Sequence, residues 1–545
     1  MIVVCSLGLA LRLSMITFAP ITNTLSCRHI EASFDEWASE LRTLGVGVTR
    51  RATSGIGFRA RQAQTAESVR LTSKESESLK GFWRSPVYRD VVYDTLKMSF
   101  EPKNSSVHPD FAVAYRRALG YVAKWFSSMD QLKPVAVRKA SEQLPTTTSP
   151  GLPYTKFGLR SKTEARPYAL TIHRKLVRKL CMGQEVHMPP AFIASRSQIT
   201  EVSKHKARPV WVIPYNQLLF EGIFTVPLFE QIKKDPFFGW SYDWLSGGAR
   251  RFSLMYRDNL STLFGTDFSK FDQTIPAFLI RDTLSVIKSH FVLDHKEELI
   301  WNSMQEYLVN TPCVFFSKLA RSNGSMPSGS AWTQILECIM DLVIFSTITI
   351  QRLDPYYTPR TLEQILRRST FLGDDSVFDL HPYYQPVLGK TRKQTFCEDI
   401  STSFGLTVNL EKTWAYCEHG KIQFLGKIWN GCSFLHPTDA GIRALVYPEY
   451  EDQSPSDLMS RCIGVAYAAC DNQELYAICE RNFSFYQRQG YEPSPFKVDY
   501  RRFFAHEMFM DIPTLEFPTF SRIQALINKE LSAIDISRIN ARRSI

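Results

Sequence analysis

What this 545-residue chain lacks narrows what it can do. Its eleven cysteines are odd in number, and none stands in a C-x-x-C or other zinc-like spacing. That argues against a disulfide framework or a zinc finger, and the thiols read as buried in a reducing compartment. There is no G-x-x-x-x-G-K-[ST] loop, and "HEMFM" at His506 lacks the second histidine of a zinc-protease helix. No internal repeat is present. Beyond the opening residues, no stretch supplies the ~20 uninterrupted apolar residues that a membrane span requires. The opening "MIVVCSLGLALRLSMITFAP" resembles a short signal peptide, but no positive residue precedes its apolar run and Arg12 interrupts it, so it is read against secretion and insertion.

What is present is a large apolar fraction, 44% hydrophobic and 13% aromatic, in a chain longer than one core usually serves. Two or three subdomains are expected. Lys and Arg number 65 against 54 Asp and Glu, a net charge of +11, which favours a polyanionic partner without establishing one. Residues Arg50 to Glu77 are polar and poor in apolar periodicity, and read as a linker or mobile surface. From Gly81 onward the chain reads as one continuous body. "SLMYRDNLSTLFGTDFSKFD" sets a short strand before a carboxylate cluster, and "IPAFLIRDTLSVIKSHFV" has helical spacing. "SAWTQILECIMDLVIFSTITIQRL" predicts a buried helix. "RRSTFLGDDSVFDL" predicts a hairpin, and "KIQFLGKIWNGCSFLHP" another. The last hundred residues, with "DLMSRCIGVAYAAC" and "SRIQALINKELSAI", read as mainly α.

Four short elements matter jointly, though each has an ordinary reading alone. In "TDFSKFD", Asp267 closes a strand and Asp272 follows; alone this is a helix cap with a solvated acid. In "GSMPSGSAWTQ", Ser328 and Gly329 form a loop feeding a helix predicted to begin near Thr333; alone, a turn and cap. "GDD", ending in Asp374 and Asp375, alone is an Asx-rich hairpin turn. In "SKHKARPVWVIP", Lys204, Lys206 and Arg208 alternate along an extended segment; alone, a charged edge strand protected against aggregation. Order joins them: Asp267 and Asp374 each adjoin a β run, with the Ser-Gly loop and the apolar helix between. If those strands are sheet neighbours, their carboxylates meet at one edge, where repulsion is costly without cations. Two divalent ions resolve it. Hard oxygen ligands suit Mg²⁺, and such a pair clamps the attacking and leaving oxygens of an in-line displacement at phosphorus.

"DFSKFD", "SGSAWTQ", "GDDS", "GLTVNLEKT" and "QFLG", in that order, resemble palm motifs A to E of viral RNA-dependent RNA polymerases. "KARPVW" resembles their motif F, and "TTTSPGLPY", Thr146 to Tyr154, their motif G. The resemblance is greatest to partitivirus polymerases, with picobirnavirus polymerases next, both from small viruses of segmented double-stranded RNA. It covers residues 140 to 430, and the C-terminal "FFAHEMFMDIPTLEFP" shares it.

The resemblance implies that Asp267 and Asp374 are ligands of two Mg²⁺ ions, replaceable by Mn²⁺, with Asp375 a weaker ligand or a group behind them. It implies that Asp272 accepts from the ribose 2′-OH. Many relatives have an Asn four residues beyond the motif B threonine, where this chain has Glu337. Ribose selection is therefore expected to rest on Asp272, Ser328, Gly329 and Thr333, and Glu337 reads equally as a paired helix acid. Lys204, Lys206 and Arg208 would line the nucleotide channel, Arg208 binding the triphosphate in bidentate fashion. Lys412 matches the motif D lysine that protonates the leaving group; its plain alternative is an exposed loop lysine. Phe424, Leu425 and Gly426 would form the hairpin supporting the primer strand. Thr148, Ser149 and Gly151 would touch the template backbone, where small groups permit close approach to phosphates; the plain alternative is a proline-glycine turn.

A reverse transcriptase would carry an aromatic residue before x-Asp-Asp and a bulky one at Asp272, so Gly373 and Asp272 argue for an RNA product. A non-enzymatic RNA-binding or capsid protein would explain the charge but not the clustered acids, which phosphate-binding grooves avoid unless metals bridge them. The sequon at Asn323 adjoins the Ser-Gly loop, where a glycan would block the site, so passage through the secretory route is not expected. The expected fold is α+β, a right-hand polymerase with an antiparallel palm sheet packed on helices. Residues 1–80 are an N-terminal extension, partly flexible; 81–261 α-rich fingers with motifs G and F and part of the palm; 262–434 the palm, with a fingers insertion near 290–325; and 435–545 a mainly α thumb. Expected partners are template RNA, product RNA, ribonucleoside triphosphates and viral capsid protein, with no membrane partner. The expected location is the host cytoplasm, within the virion, where the enzyme copies and transcribes a double-stranded RNA genome.

Overall fold

The computed structural model describes residues 26–52, 65–66, 68–235, 237–258, 260–353, 358–380, 384–431, 433–495, 515–534, 536–537 and 539. The signal-like opening and "HEMFM" at His506 lie outside the described residues, as does most of the C-terminal "FFAHEMFMDIPTLEFP".

The runs either side of Gly373 pair as predicted. Thr370–Leu372 and Asp375–Asp379 form an antiparallel hairpin, and Asp375–Asp379 pairs on its other edge with Leu263–Gly265, Phe378 opposite Phe264. Trp414–Ala415 joins Leu263–Gly265 to complete a four-stranded, wholly antiparallel sheet. Because side chains alternate along a strand, Phe264 and Phe378 share one face. There they stack with Phe345 and Phe396, ring centroids 4.1 to 5.5 Å apart, and so glue the sheet to the helices Thr333–Leu353 and Arg392–Phe404. Thr333–Leu353 is long and apolar enough to cross a membrane, yet protein encloses it. A helix apolar on every side buries every side, and here it packs on Ala112–Ser127 and Ala277–Lys288.

The expected α-rich region before residue 261 also holds a five-stranded sheet, in the order Thr49–Arg51, Lys318–Arg321, Pro312–Phe315, Ala191–Ser197, Ala207–Val212. The hairpin Pro312–Arg321 reaches back to pair in parallel with Ala191–Ser197. Ala207–Val212 is an edge strand, as the charge alternation of Lys204, Lys206 and Arg208 suggested. Most of these strands have seven residues or fewer without strict alternation, so periodicity does not announce them.

The linker expected over Arg50 to Glu77 is corrected at both described ends. Thr49–Arg51 is paired with Lys318–Arg321. Farther along, Arg70 exchanges two hydrogen bonds with Asn482 in the helix Gln473–Gln487, at 2.7 and 3.1 Å, and Ser68 O accepts from Tyr486 Oη at 2.6 Å. At Ser68 and Arg70 the chain is thus held through its backbone. After the small sheet Ile422–Phe424, Lys427–Trp429, Phe434–Leu435, the described remainder is mainly helical, as expected: Thr438–Val446, Pro455–Ala469, Gln473–Gln487 and Phe520–Ile527. The helix read from "SRIQALINKELSAI" stops early, at Ile527. Among the described cysteines, Cys313, Cys338, Cys397, Cys462, Cys470 and Cys479 are buried free thiols, while Cys181 and Cys417 are exposed, contrary to expectation.

Candidate active site

Continued to the end of the sheet, the register that pairs Phe378 with Phe264 sets Asp375 opposite Asp267. The Thr266 and Ser376 hydroxyls, 2.9 Å apart, fasten this edge. Asp267 is held from the far side as well, its N–H donating to Thr413 Oγ1 at 3.4 Å and its carbonyl accepting from Asn409 N–H at 2.8 Å. Gly373 takes φ +64°, and that left-handed turn delivers Asp374 and Asp375 to the strand end.

Charge crowds here. Asp374 and Asp375 open to solvent, but protein surrounds the turn otherwise. Desolvation at this crowded turn raises the Asp375 carboxyl, with repulsion from Asp374 and Asp267 adding to it. Asp374 is raised for the same reason, with Arg208 opposing and Asp267 reinforcing. Asp272 is half-buried and raised to about 6, chiefly by desolvation, against the pull of Arg208. Two further acids on the central helix complete the group. Glu337 is buried and held well above the usual carboxylate range by desolvation, Asp272 and Asp374. Asp341, fully buried, is raised by desolvation, Asp374, Glu337 and Asp375, and neither of its oxygens has a hydrogen-bond partner among the described residues. Asp341 went unremarked in the sequence, although an acid in so apolar a helix is itself a signal.

Cations face these acids. Arg208 stands opposite Arg196 across two strands, a like-charge pairing relieved by Glu449, which holds the Arg196 guanidinium at 2.8 and 3.1 Å. Arg208 acts electrostatically on Asp272, Asp374 and Glu337. Lys206 is lowered by desolvation and by Lys412, Arg208 and Lys204, with Asp267 opposing. Lys412 Nζ lies 3.8 Å from Asp267 Oδ2. The structure thus gathers Asp267, Asp272, Asp374, Asp375, Lys206, Arg208, Lys412 and Glu337 into one electrostatic neighbourhood, whereas Lys204 is exposed and pairs with Glu201 at 2.9 Å.

Ser328 and Gly329, in the loop before the helix Thr333–Leu353, pack against the strand that carries Arg208, and Thr333 opens that helix. The Ser328 hydroxyl donates to Pro209 O at 3.2 Å, and the Thr333 hydroxyl lies 3.0 Å from Pro327 O. A Cβ on Gly329 would come within 2.0 Å of the Trp211 carbonyl oxygen. Met326 N–H donates to the Asp272 carbonyl at 2.6 Å. Thr148 and Ser149 are buried and turned to protein: Thr148 Oγ1 takes a hydrogen bond from the buried Lys162, and Ser149 Oγ accepts from Gly151 N–H at 3.3 Å. Gly151, at φ +69°, lies against Ile213, whose carbonyl would be 2.7 Å from an added Cβ. Phe424 is buried, and Leu425 and Gly426 form a tight positive-φ turn below the sheet.

Among the described residues, no three His, Cys, Asp or Glu side chains close on one point as a finished metal cage would. Mg²⁺ does not need one, because it keeps waters and shares its shell with substrate phosphates. Like carboxylates with no cation between them stand apart. The hard-oxygen donors Asp267, Asp374 and Asp375 on adjacent strands fit such ions.

The comparisons agree with this geometry. A family model described as "Viral RNA-dependent RNA polymerase" matches residues 62–477. The RNA-directed RNA polymerase of Cryptosporidium parvum virus 1 (strain KSU-1) is 27% identical over 374 residues, 65% of this chain and 68% of that protein. That of Atkinsonella hypoxylon virus (isolate 2H) is 22% identical, over 62% and 58%, and that of White clover cryptic virus 1 (isolate Boccardo/2004) 23%, over 59% and 55%. The match therefore spans less than two thirds of the latter two proteins. The crystal structure of the RNA-dependent RNA polymerase of a human picobirnavirus shares the right-hand fold, with a TM-score of 0.56 at 15% identity, covering 96% of this chain and 93% of that one. Its insertion-loop deletion mutant gives 0.53 at 17%, over 90% of each chain. On the family match over most of its length, the chain belongs to the viral RNA-dependent RNA polymerases.

Proposed function

We propose that this polymerase extends RNA in the cleft between Asp267 and the Asp374–Asp375 turn, copying and transcribing a double-stranded RNA genome. The observation that carries the reading is the meeting of those acids, remote in the chain, at one sheet edge within the field of Arg208. Asp267 and Asp374 would hold two Mg²⁺ or Mn²⁺ ions, Asp375 more weakly, and the ions when bound stabilise charge on the attacking and leaving oxygens. Arg208, with Lys204 and Lys206, grips the triphosphate and offsets charge on the departing pyrophosphate. Lys412 hands that pyrophosphate a proton. Asp272 accepts from the ribose 2′-OH beside Ser328, Gly329 and Thr333. Phe424 to Gly426 support the primer strand, and Thr148, Ser149 and Gly151 shape the wall along which the template runs.

On this reading residues 81–261, with the hairpin near 290–325, are the fingers; 262–434 is the palm; 435–545 is the thumb. Residues 1–80 are an extension spanning both sides. The enzyme works in the host cytoplasm within the virion, against capsid protein.

The test is purified protein with a single-stranded RNA template, four ribonucleotides and Mg²⁺. Labelled product is expected, and Asp374→Asn should lower incorporation by roughly 10²-fold or more while RNA affinity holds or rises, since a repelling charge is gone. No product across metals and templates, or an undiminished Asp374→Asn enzyme, would sink the reading and favour a plain RNA-binding protein.

A further inference from the structure

The helix Tyr215–Ile232 follows the strand that carries Arg208 and is buried along nearly its whole length. Each polar side chain within it therefore needs a partner. Glu221 is wholly buried, and its carboxylate accepts from Ala331 N–H at 2.7 Å, from the Ser330 hydroxyl at 2.8 Å and from Gln217 Nε2–H at 3.0 Å. Ser330 and Ala331 follow Ser328 and Gly329 directly and lead into the central helix, whose N-terminal end favours negative charge. The Arg208 strand itself clamps the same loop, through Pro209 O on Ser328 and the Trp211 carbonyl against Gly329.

We propose that Glu221 is a positioning residue, fixing the Ser328–Gly329 loop to the helix that directly follows the Arg208 strand, so that the ribose-binding and triphosphate-binding groups keep one spacing. The proposal rests on the roles assigned to those residues above. Burial pushes the Glu221 carboxyl up to about 7, with its three hydrogen bonds opposing. A residue of the same size without charge would sit in this apolar helix at less cost, so holding the loop, not filling space, accounts for an acid here.

Steady-state incorporation by the full chain tests this, comparing ribonucleotides with their 2′-deoxy counterparts in Glu221→Gln, Ser330→Ala and the double variant. Ile463→Val, in the buried helix Pro455–Ala469, is the control for lost stability. Glu221→Gln turns an amide NH₂ toward a donor and is expected to raise the ribonucleotide KM and to lower ribose discrimination, each about tenfold, with kcat less affected. Ser330→Ala should move both quantities the same way by a smaller factor. The double variant should fall short of the product of the two, because both remove one contact. The control should move the melting temperature alone. The proposal is overturned if both single variants melt lower while KM and discrimination stay at the wild-type values; Ser330→Ala, the smaller change, decides if Glu221→Gln does not fold. Wild-type protein that makes no RNA overturns instead the reading beneath it, and this inference with it.

Discussion

Glu337 and Asp341 stand one turn apart on a helix whose other neighbours are apolar, directly behind the Asp374–Asp375 turn. Burial and the neighbouring carboxylates hold both well above the usual carboxylate range. Arg208 is the counterweight, and Arg208→Ala is expected to raise the nucleotide KM about tenfold or more in single-nucleotide incorporation. Glu221 makes a prediction in pH. It keeps its proton up to about 7 in the folded protein, against an ordinary value of 4.5. Between those values the folded state binds the extra proton, so the stability this adds is complete at lower pH and is lost as pH rises to about 7. The loss amounts to about 3 kcal/mol. Glu221→Gln should flatten that decline, which denaturant unfolding at a series of pH values measures; an unchanged slope would contradict the assignment.

Elements show why some signals were readable. The hairpin at Gly373 was legible because a positive-φ glycine between β-rich runs admits few other structures. Of the segment bearing Lys204, Lys206 and Arg208, the part from Ala207 to Val212 is the edge strand that its charge alternation suggested. Gly151 shows a limit. Its smallness was expected to admit phosphates, but the Ile213 backbone already demands it, as Trp211 demands Gly329. The strand Ala207–Val212 therefore braces the loop of Gly329, and Ile213 just beyond it braces that of Gly151. Gly329→Ala must push its loop away from Trp211 and is expected to cost about 1–3 kcal/mol in thermal unfolding. Incorporation should fall about tenfold with it.

At the scale of the whole molecule, the N-terminal segment links distant parts, pairing a strand into the five-stranded sheet and then binding the helix Gln473–Gln487. Asn482 is buried there and serves both backbone groups of Arg70, so Asn482→Ala should cost about 1–3 kcal/mol and raise hydrogen exchange across residues 68–79 without altering the cleft. The amino-acid order alone determined the motifs that mark the family, the two hairpins and the long core helix, because turn residues, apolar runs and motif spacing act over a few positions and leave their mark there. Folding alone decided that Glu221 meets a loop 110 residues away, that Asp341 lies unpartnered among the described residues beneath the aspartate turn, and that a polar stretch near the start is pinned to the far end of the chain. Burial and long-range hydrogen bonds are properties of the packed chain, and no local pattern encodes them.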